Sequence, residues 1–285
     1  LPSAEASFGN QKGYMVMLKT LVSLNPDLAS SIALRYACRM GTMVKMALQT
    51  IHVEDPAASG HPPGTGWVRR TWEKALLKAG EEEIAQLIQA ERSSCPPLAA
   101  TKMVIGDPEE EILRELDRES YDLFIEGTLY SFSSTSFNKK IRSRLYRHAS
   151  CPVILVKNLM DLRRIAILLG ADMDPVRLVT TFVGIFREGV FDVDLLYYRF
   201  HLGGGPTFQK QEDADSVLSA ARKLLVEGGG VPKDCRVIED SPEKLSDLFK
   251  DYGLVVSSIH GVVNKKSHLT ELLHRMPSPI LFCPQ

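Results

Sequence analysis

The second half of this chain repeats the first, segment by segment and in the same order, and that constrains the fold more than any single motif. "LKTLVSLNPD" (18–27) is answered by "RRIAILLGADMDP" (163–175), and "MALQTIHV" (46–53) by "VDLLYYRFHL" (193–202). "VIGDPEEEILREL" (104–116) matches "VIEDSPEKLSDLF" (237–249), and "YDLFIEG" (121–127) matches "YGLVVSS" (252–258). "RHASCPVILV" (147–156) matches "RMPSPILFCP" (275–284). Self-similarity at such a period means one structural unit built twice. The joint falls near "KNLMDLRR" (157–164). The expected organisation is a loose tail over 1–17, a first domain over 18–158 and a second over 159–285.

Within one unit, short apolar runs alternate with helical patterns. "LKTLVSL" (18–24) reads as a strand that "NPD" breaks, with Asp27 placed to cap a helix ending at Gly41. "MALQTIHV" is a second strand, and Val68 to Ile88 mark a long amphipathic helix. "AATKMVI" (99–105) is a third strand, after which Asp107, Pro108 and Glu110 form a capping-box start. "DLFIEG" (122–127) and "PVILVK" (152–157) are the fourth and fifth strands, with a short basic helix between them. This alternation predicts an α/β fold with a mostly parallel sheet in each copy.

The formal net charge of the 285 residues is -1, so no global field draws the chain to nucleic acid or an anionic membrane. No run of about 18 apolar residues offers a membrane span. The five cysteines, Cys38, Cys95, Cys151, Cys235 and Cys283, are scattered, odd in number and never spaced CxxC. That pattern predicts neither a disulfide framework nor a zinc site, and suits a reducing cytoplasm. The start has no basic n-region or long apolar h-region.

"GDPEEEILRELDRESYDLFIEGT" (106–128) and "RHASCPVILVK" (147–157) resemble the universal stress protein family, in its tandem two-domain form. They look like that family's Gly-x-Pro turn, following helix, fourth strand and Cys-Pro-Val closing strand, and "TIHV" (50–53) resembles the end of its second strand. The resemblance implies two copies of a doubly wound five-stranded parallel sheet of the adenine nucleotide alpha-hydrolase type, strand order 3-2-1-4-5. It also implies an intramolecular pseudo-dimer paired through the last strands, with a further homodimer open. Nucleotide-binding members hold ATP at the carboxyl ends of strands one and four, where open α/β sheets place ligands.

Carried over residue by residue, that site is incomplete. Asn25 stands where the family's first-strand Asp belongs, and Val53 keeps the adenine-side valine. Gly106 opens the Gly-x-Pro turn and Gly127 is the first glycine of the phosphate loop. The second loop glycine falls on Tyr130, and the closing Gly-Ser/Thr falls near Lys139 and Lys140. In the second copy Gly170 replaces the Asp, Leu202 the valine and Ser258 the first glycine; Gly261 remains, the loop after it is short, and Ser267 is the only closing hydroxyl. The glycines matter because they let backbone N–H groups converge on an anion.

Two functions follow from this. One is a non-enzymatic stress-response or regulatory protein with degenerate ATP sites that binds a protein partner or small ligand. The alternative is an ATP- or AMP-binding switch with one working site in the first domain, with slow hydrolysis at most. Lys139, Lys140, Arg142, Arg144 and Arg147 are either a solvated helix face or an anion site that uses side-chain charge in place of glycine. His52 and His201 read as packed strand-end histidines, Trp67 and Trp72 as packing residues, and Cys151 as buried. No G-x-S-x-G, HExxH or nucleophile constellation appears, so no catalytic residue and no metal ligand is assigned.

Overall fold

The structure is a computed structural model that describes residues 17–57, 65–129, 133–171, 173–200, 211–258 and 267–283. The first half runs β1 (Leu18–Ser23), α1 (Leu28–Met40), β2 (Met46–Glu54), α2 (Trp67–Glu91), β3 (Lys102–Ile105), α3 (Pro108–Glu119), β4 (Leu123–Gly127), α4 (Ser134–Ile141), α5 (Arg144–His148) and β5 (Val153–Val156). The second runs β6 (Arg164–Leu169), α6 (Pro175–Phe186), β7 (Asp192–Phe200), α7 (Gln211–Glu227), β8 (Pro232–Asp240), α8 (Pro242–Leu248), β9 (Leu254–Ser258), α9 (His268–Arg275) and β10 (Ile280–Cys283).

Among the described residues, the strands join one ten-stranded sheet in the order β3-β2-β1-β4-β5-β10-β9-β6-β7-β8. Each half has the expected order 3-2-1-4-5, and its neighbouring strands are parallel. The seam is antiparallel, with Ile280 opposite Leu155 and Phe282 opposite Val153. The carboxyl ends of the strands in the two halves therefore point to opposite edges of the sheet. Central strands are covered on both faces, which is why "VILV" and "ILFC" are buried throughout.

The caps follow the sequence, with one change. Asp27 accepts from the Ser30 N–H at 2.7 Å, and Asp107 accepts from the Glu110 N–H at 3.0 Å. Glu110 does not close a capping box; its carboxylate accepts from Arg144 Nη1 at 2.7 Å. The matched tyrosines that open the fourth-strand segments repeat one role. Tyr121 donates to Glu115 at 2.9 Å and Tyr252 to Asp194 at 2.6 Å.

The cysteines correct one expectation. Cys38 on α1 and Cys95, just beyond α2, form a disulfide with Cα atoms 5.0 Å apart. Cysteine spacing detects motifs close in sequence, whereas this pair lies 57 residues apart and meets only when α1 and α2 pack on the same side of the sheet. Closing a loop of that length contributes about 4 kcal/mol on the chain-entropy account. The cytoplasmic expectation loses the support it drew from unpaired thiols. Trp67 is a second correction, since it is 75% exposed at the start of α2 and packs little. Among the described residues, no helix is long and apolar enough to cross a membrane.

Side-chain contacts besides the strand seam also tie the halves. Tyr36 on α1 donates to the Gly253 carbonyl at 3.0 Å. Tyr146 meets Phe282 edge-on, with ring centroids 5.6 Å apart. Lys157, 4% exposed, sends Nζ to the Leu273 and His274 carbonyls at 2.6 and 3.1 Å, at the open end of α9. Burial pushes its ammonium down to about 7, and a neutral amine still has two N–H groups for these two carbonyls. The unfolded chain binds this proton below about 10.4, the folded protein only below about 7, so stability rises with pH between those values. Urea midpoints at pH 7 and pH 9 test this: the wild type gains stability on going to pH 9, and Lys157→Met loses most of that gain.

Candidate functional site

At the carboxyl end of the first half's sheet lies a cavity of about 220 Å³. Three of the six residues singled out by sequence meet there. Asn25, just past β1, forms part of the rim; its backbone N–H donates to Ser30 Oγ at 2.8 Å. Val53, near the end of β2, is a buried apolar wall. Lys140, late in α4, reaches in from the other side.

Gly106, Gly127 and Lys139 do not line the cavity. Gly106 extends the β2–β3 pairing, its N–H donating to the Glu54 carbonyl at 3.0 Å. Gly127 serves packing. A Cβ added there would lie 2.1 Å from the Ala29 carbonyl oxygen, so the end of β4 presses directly on the first turn of α1. Lys139 is exposed on α4. Tyr130, which stands in place of the second loop glycine, lies outside the described residues.

The residue that governs this crevice is Glu126, which the sequence reading missed. It sits on β4 and is only 8% exposed. Its Oε2 accepts from Lys140 Nζ at 2.8 Å and its Oε1 from the Tyr146 hydroxyl at 2.5 Å. An isolated carboxylate is too costly to bury, so a glutamate in an otherwise apolar strand, "DLFIEG", implies a partner. That signal was present in the sequence. Burial and the Glu126 charge hold the Tyr146 phenol well above its ordinary pKa, so it stays a donor.

Within the rest of the basic cluster, Arg144 is engaged as well. Arg144 binds Glu110 through Nη1, and its backbone N–H donates to Glu109 Oε2 at 3.0 Å. The start of α3 would attract an anion, but Glu109, Glu110 and Glu111 fill its first turn. Among the described residues, the charged groups lining the cavity are Glu109, Glu126 and Lys140, a net negative set. Its volume is below the roughly 300–1,000 Å³ of drug-sized ligand sites. His52, at the end of β2, has Nδ1 against the Leu24 carbonyl at 2.7 Å and Nε2 against Glu54 at 3.0 Å, so both ring nitrogens are engaged.

The same architecture recurs in solved structures along almost the whole chain. A universal stress protein from Archaeoglobus fulgidus DSM 4304 matches 95% of this chain and 98% of its own, with a TM-score of 0.63 at 13% identity. A candidate universal stress protein from Pseudomonas aeruginosa UCBPP-PA14 matches 95% and 94%, with a TM-score of 0.57 at 15% identity. A functionally unknown protein from Pseudomonas aeruginosa PAO1 matches 95% and 93%, with a TM-score of 0.56 at 16% identity. The chain has the tandem universal stress protein fold. At such identities the likeness is one of fold; no family model matches the sequence. No curated protein matches it either.

In the second copy of the universal stress protein fold, aromatic rings crowd the equivalent strand ends. Gly170 follows β6, and a Cβ there would lie 2.5 Å from the Tyr198 ring. Tyr198 packs on Phe200 with centroids 4.9 Å apart, and Phe200 packs on His268 at 5.8 Å. Ser258 ends β9, and Ser267 precedes α9 without a side-chain capping bond. Leu202, Gly261 and His201 lie outside the described residues.

The role of Gly127 is open to a direct test. Gly127→Ala forces a backbone collision with Ala29 and lowers the unfolding free energy by about 2–4 kcal/mol in urea titration. A change below about 0.5 kcal/mol would contradict the packing role.

Proposed function

We propose that this protein is a non-enzymatic binding protein with the universal stress protein fold, acting in a regulatory or stress-response role, whose first-half crevice does not hold nucleoside triphosphate. The observation that carries this is the Lys140–Glu126 ion pair at 2.8 Å. In the first half, Lys140 is the cation placed to replace glycine N–H groups at the crevice, and a mostly buried carboxylate consumes its charge. A triphosphate would have to break that pair, face Glu109 and fit about 220 Å³. The aromatic packing of Tyr198, Phe200 and His268 argues the same way for the second half. Binding is therefore directed to a small ligand of low charge, or to a partner protein.

The second reading is an AMP- or ATP-binding switch with one site in the first half. The convergence of Asn25, Val53 and Lys140 on one cavity favours it. Calorimetry on freshly purified protein separates the two, alongside native mass spectrometry for carried-over ligand. The proposal expects no ATP heat below about 1 mM and no co-purified nucleotide. Micromolar ATP or AMP affinity overturns it in favour of the switch.

A further inference from the structure

We propose that the Cys38–Cys95 disulfide is a thiol-exchange site, and that Cys95 is the sulfur a small thiol attacks. The two sulfurs sit in unlike surroundings. Cys38, on the buried face of α1, is 1% exposed. Cys95 is half-buried and lines a cavity of about 650 Å³ between α2 and the segment that leads into the edge strand β3. Ile84, Ile88 and Met103 form apolar parts of the wall, while Arg92 and Glu81 also line the cavity with opposite charges. A volume of this size is within the range that admits small molecules, and exchange needs a path for the attacking sulfur as much as a reactive thiolate.

Two of the other three cysteines are shielded from this chemistry. Burial pushes the Cys151 and Cys283 thiols up to about 12 and keeps them protonated. Cys235 is exposed on β8 and raised by partial burial.

In the first step the thiolate of a low-molecular-weight thiol attacks Cys95 Sγ. The Cys95–Cys38 bond breaks, Cys38 leaves as a thiolate and takes up a proton, and Cys95 carries the mixed disulfide. A second thiolate then attacks the outer sulfur of that adduct. It releases the symmetrical small-molecule disulfide and leaves Cys95 reduced. The two thiols supply the two electrons that the protein disulfide accepts.

The structural consequence falls on residues 92–101. This segment is tied at its far end, where Gln49 Nε2 donates to the Ala100 carbonyl at 3.0 Å and the Thr50 and Thr101 hydroxyls meet at 2.8 Å. At its near end the disulfide is the covalent tie to α1. Exchange at Cys95 releases the near end, opens the cavity wall and loosens the approach to β3, while the seam between the halves stays intact.

The test uses the full chain with Cys235→Ser, which removes the exposed competing thiol. The folded protein is treated with excess glutathione, quenched in acid, unfolded and alkylated, and its peptides are mapped by mass. Glutathione is expected on Cys95 with the alkyl group on Cys38. Amide hydrogen exchange over 92–101 is expected to speed up at least tenfold, with β4 and β5 unchanged. Glutathione on Cys38 overturns the assignment of the attacked sulfur. No adduct on the folded protein, with ready reaction once it is unfolded in urea, shows a closed structural staple and overturns the proposal. Alkylation of both cysteines without any thiol treatment overturns it as well.

Discussion

The antiparallel pairing of β5 with β10 is the constraint on which the rest of the molecule depends. Either five-stranded half alone would present its last strand as an unpaired edge, with apolar residues on both faces and open hydrogen-bonding groups. Pairing the two closes both edges at once and makes a single sheet. It also fixes the site geometry, because an antiparallel seam sends the two candidate crevices to opposite edges. Tyr36 and Lys157 add polar ties across the same joint, each satisfying a carbonyl of the other half.

This arrangement keeps the scaffold while the two crevices diverge. The first is polar and self-paired. Glu126 binds Lys140 and Tyr146, and the acidic first turn of α3 binds Arg144. The second is packed with aromatic rings. A scaffold held by its central strands tolerates both outcomes, since the strand ends contribute little to the seam. Gly127 illustrates the separation: its position in the loop pattern suggests ligand contact, yet its missing Cβ is required by α1.

Much of the fold was legible because parallel strands buried on both faces leave continuous apolar runs, and the paired runs recur in order. The caps at Asp27 and Asp107 were legible because they are local. The disulfide was not, since Cys38 and Cys95 become neighbours only through helix packing. Trp67 was misread because helical spacing does not say where the apolar face of α2 ends. At the site, Asn25, Val53 and Lys140 were found through the resemblance, but the partner of Lys140 was not. Spacing carries the position of a lysine, whereas its charge depends on what the opposite wall supplies.

In the proposed reading, Glu126 neutralises Lys140, the cation which would otherwise serve an anion at this crevice. The most direct measurement is phosphate and ATP calorimetry on Glu126→Gln beside the wild type, with folding of both checked by thermal melts. Glutamine keeps the shape and an acceptor for Tyr146 but removes the charge, so Lys140 is released. The variant is expected to bind either anion at least tenfold more tightly than the wild type. Equal binding by the two proteins, or tighter binding by the wild type, would contradict it.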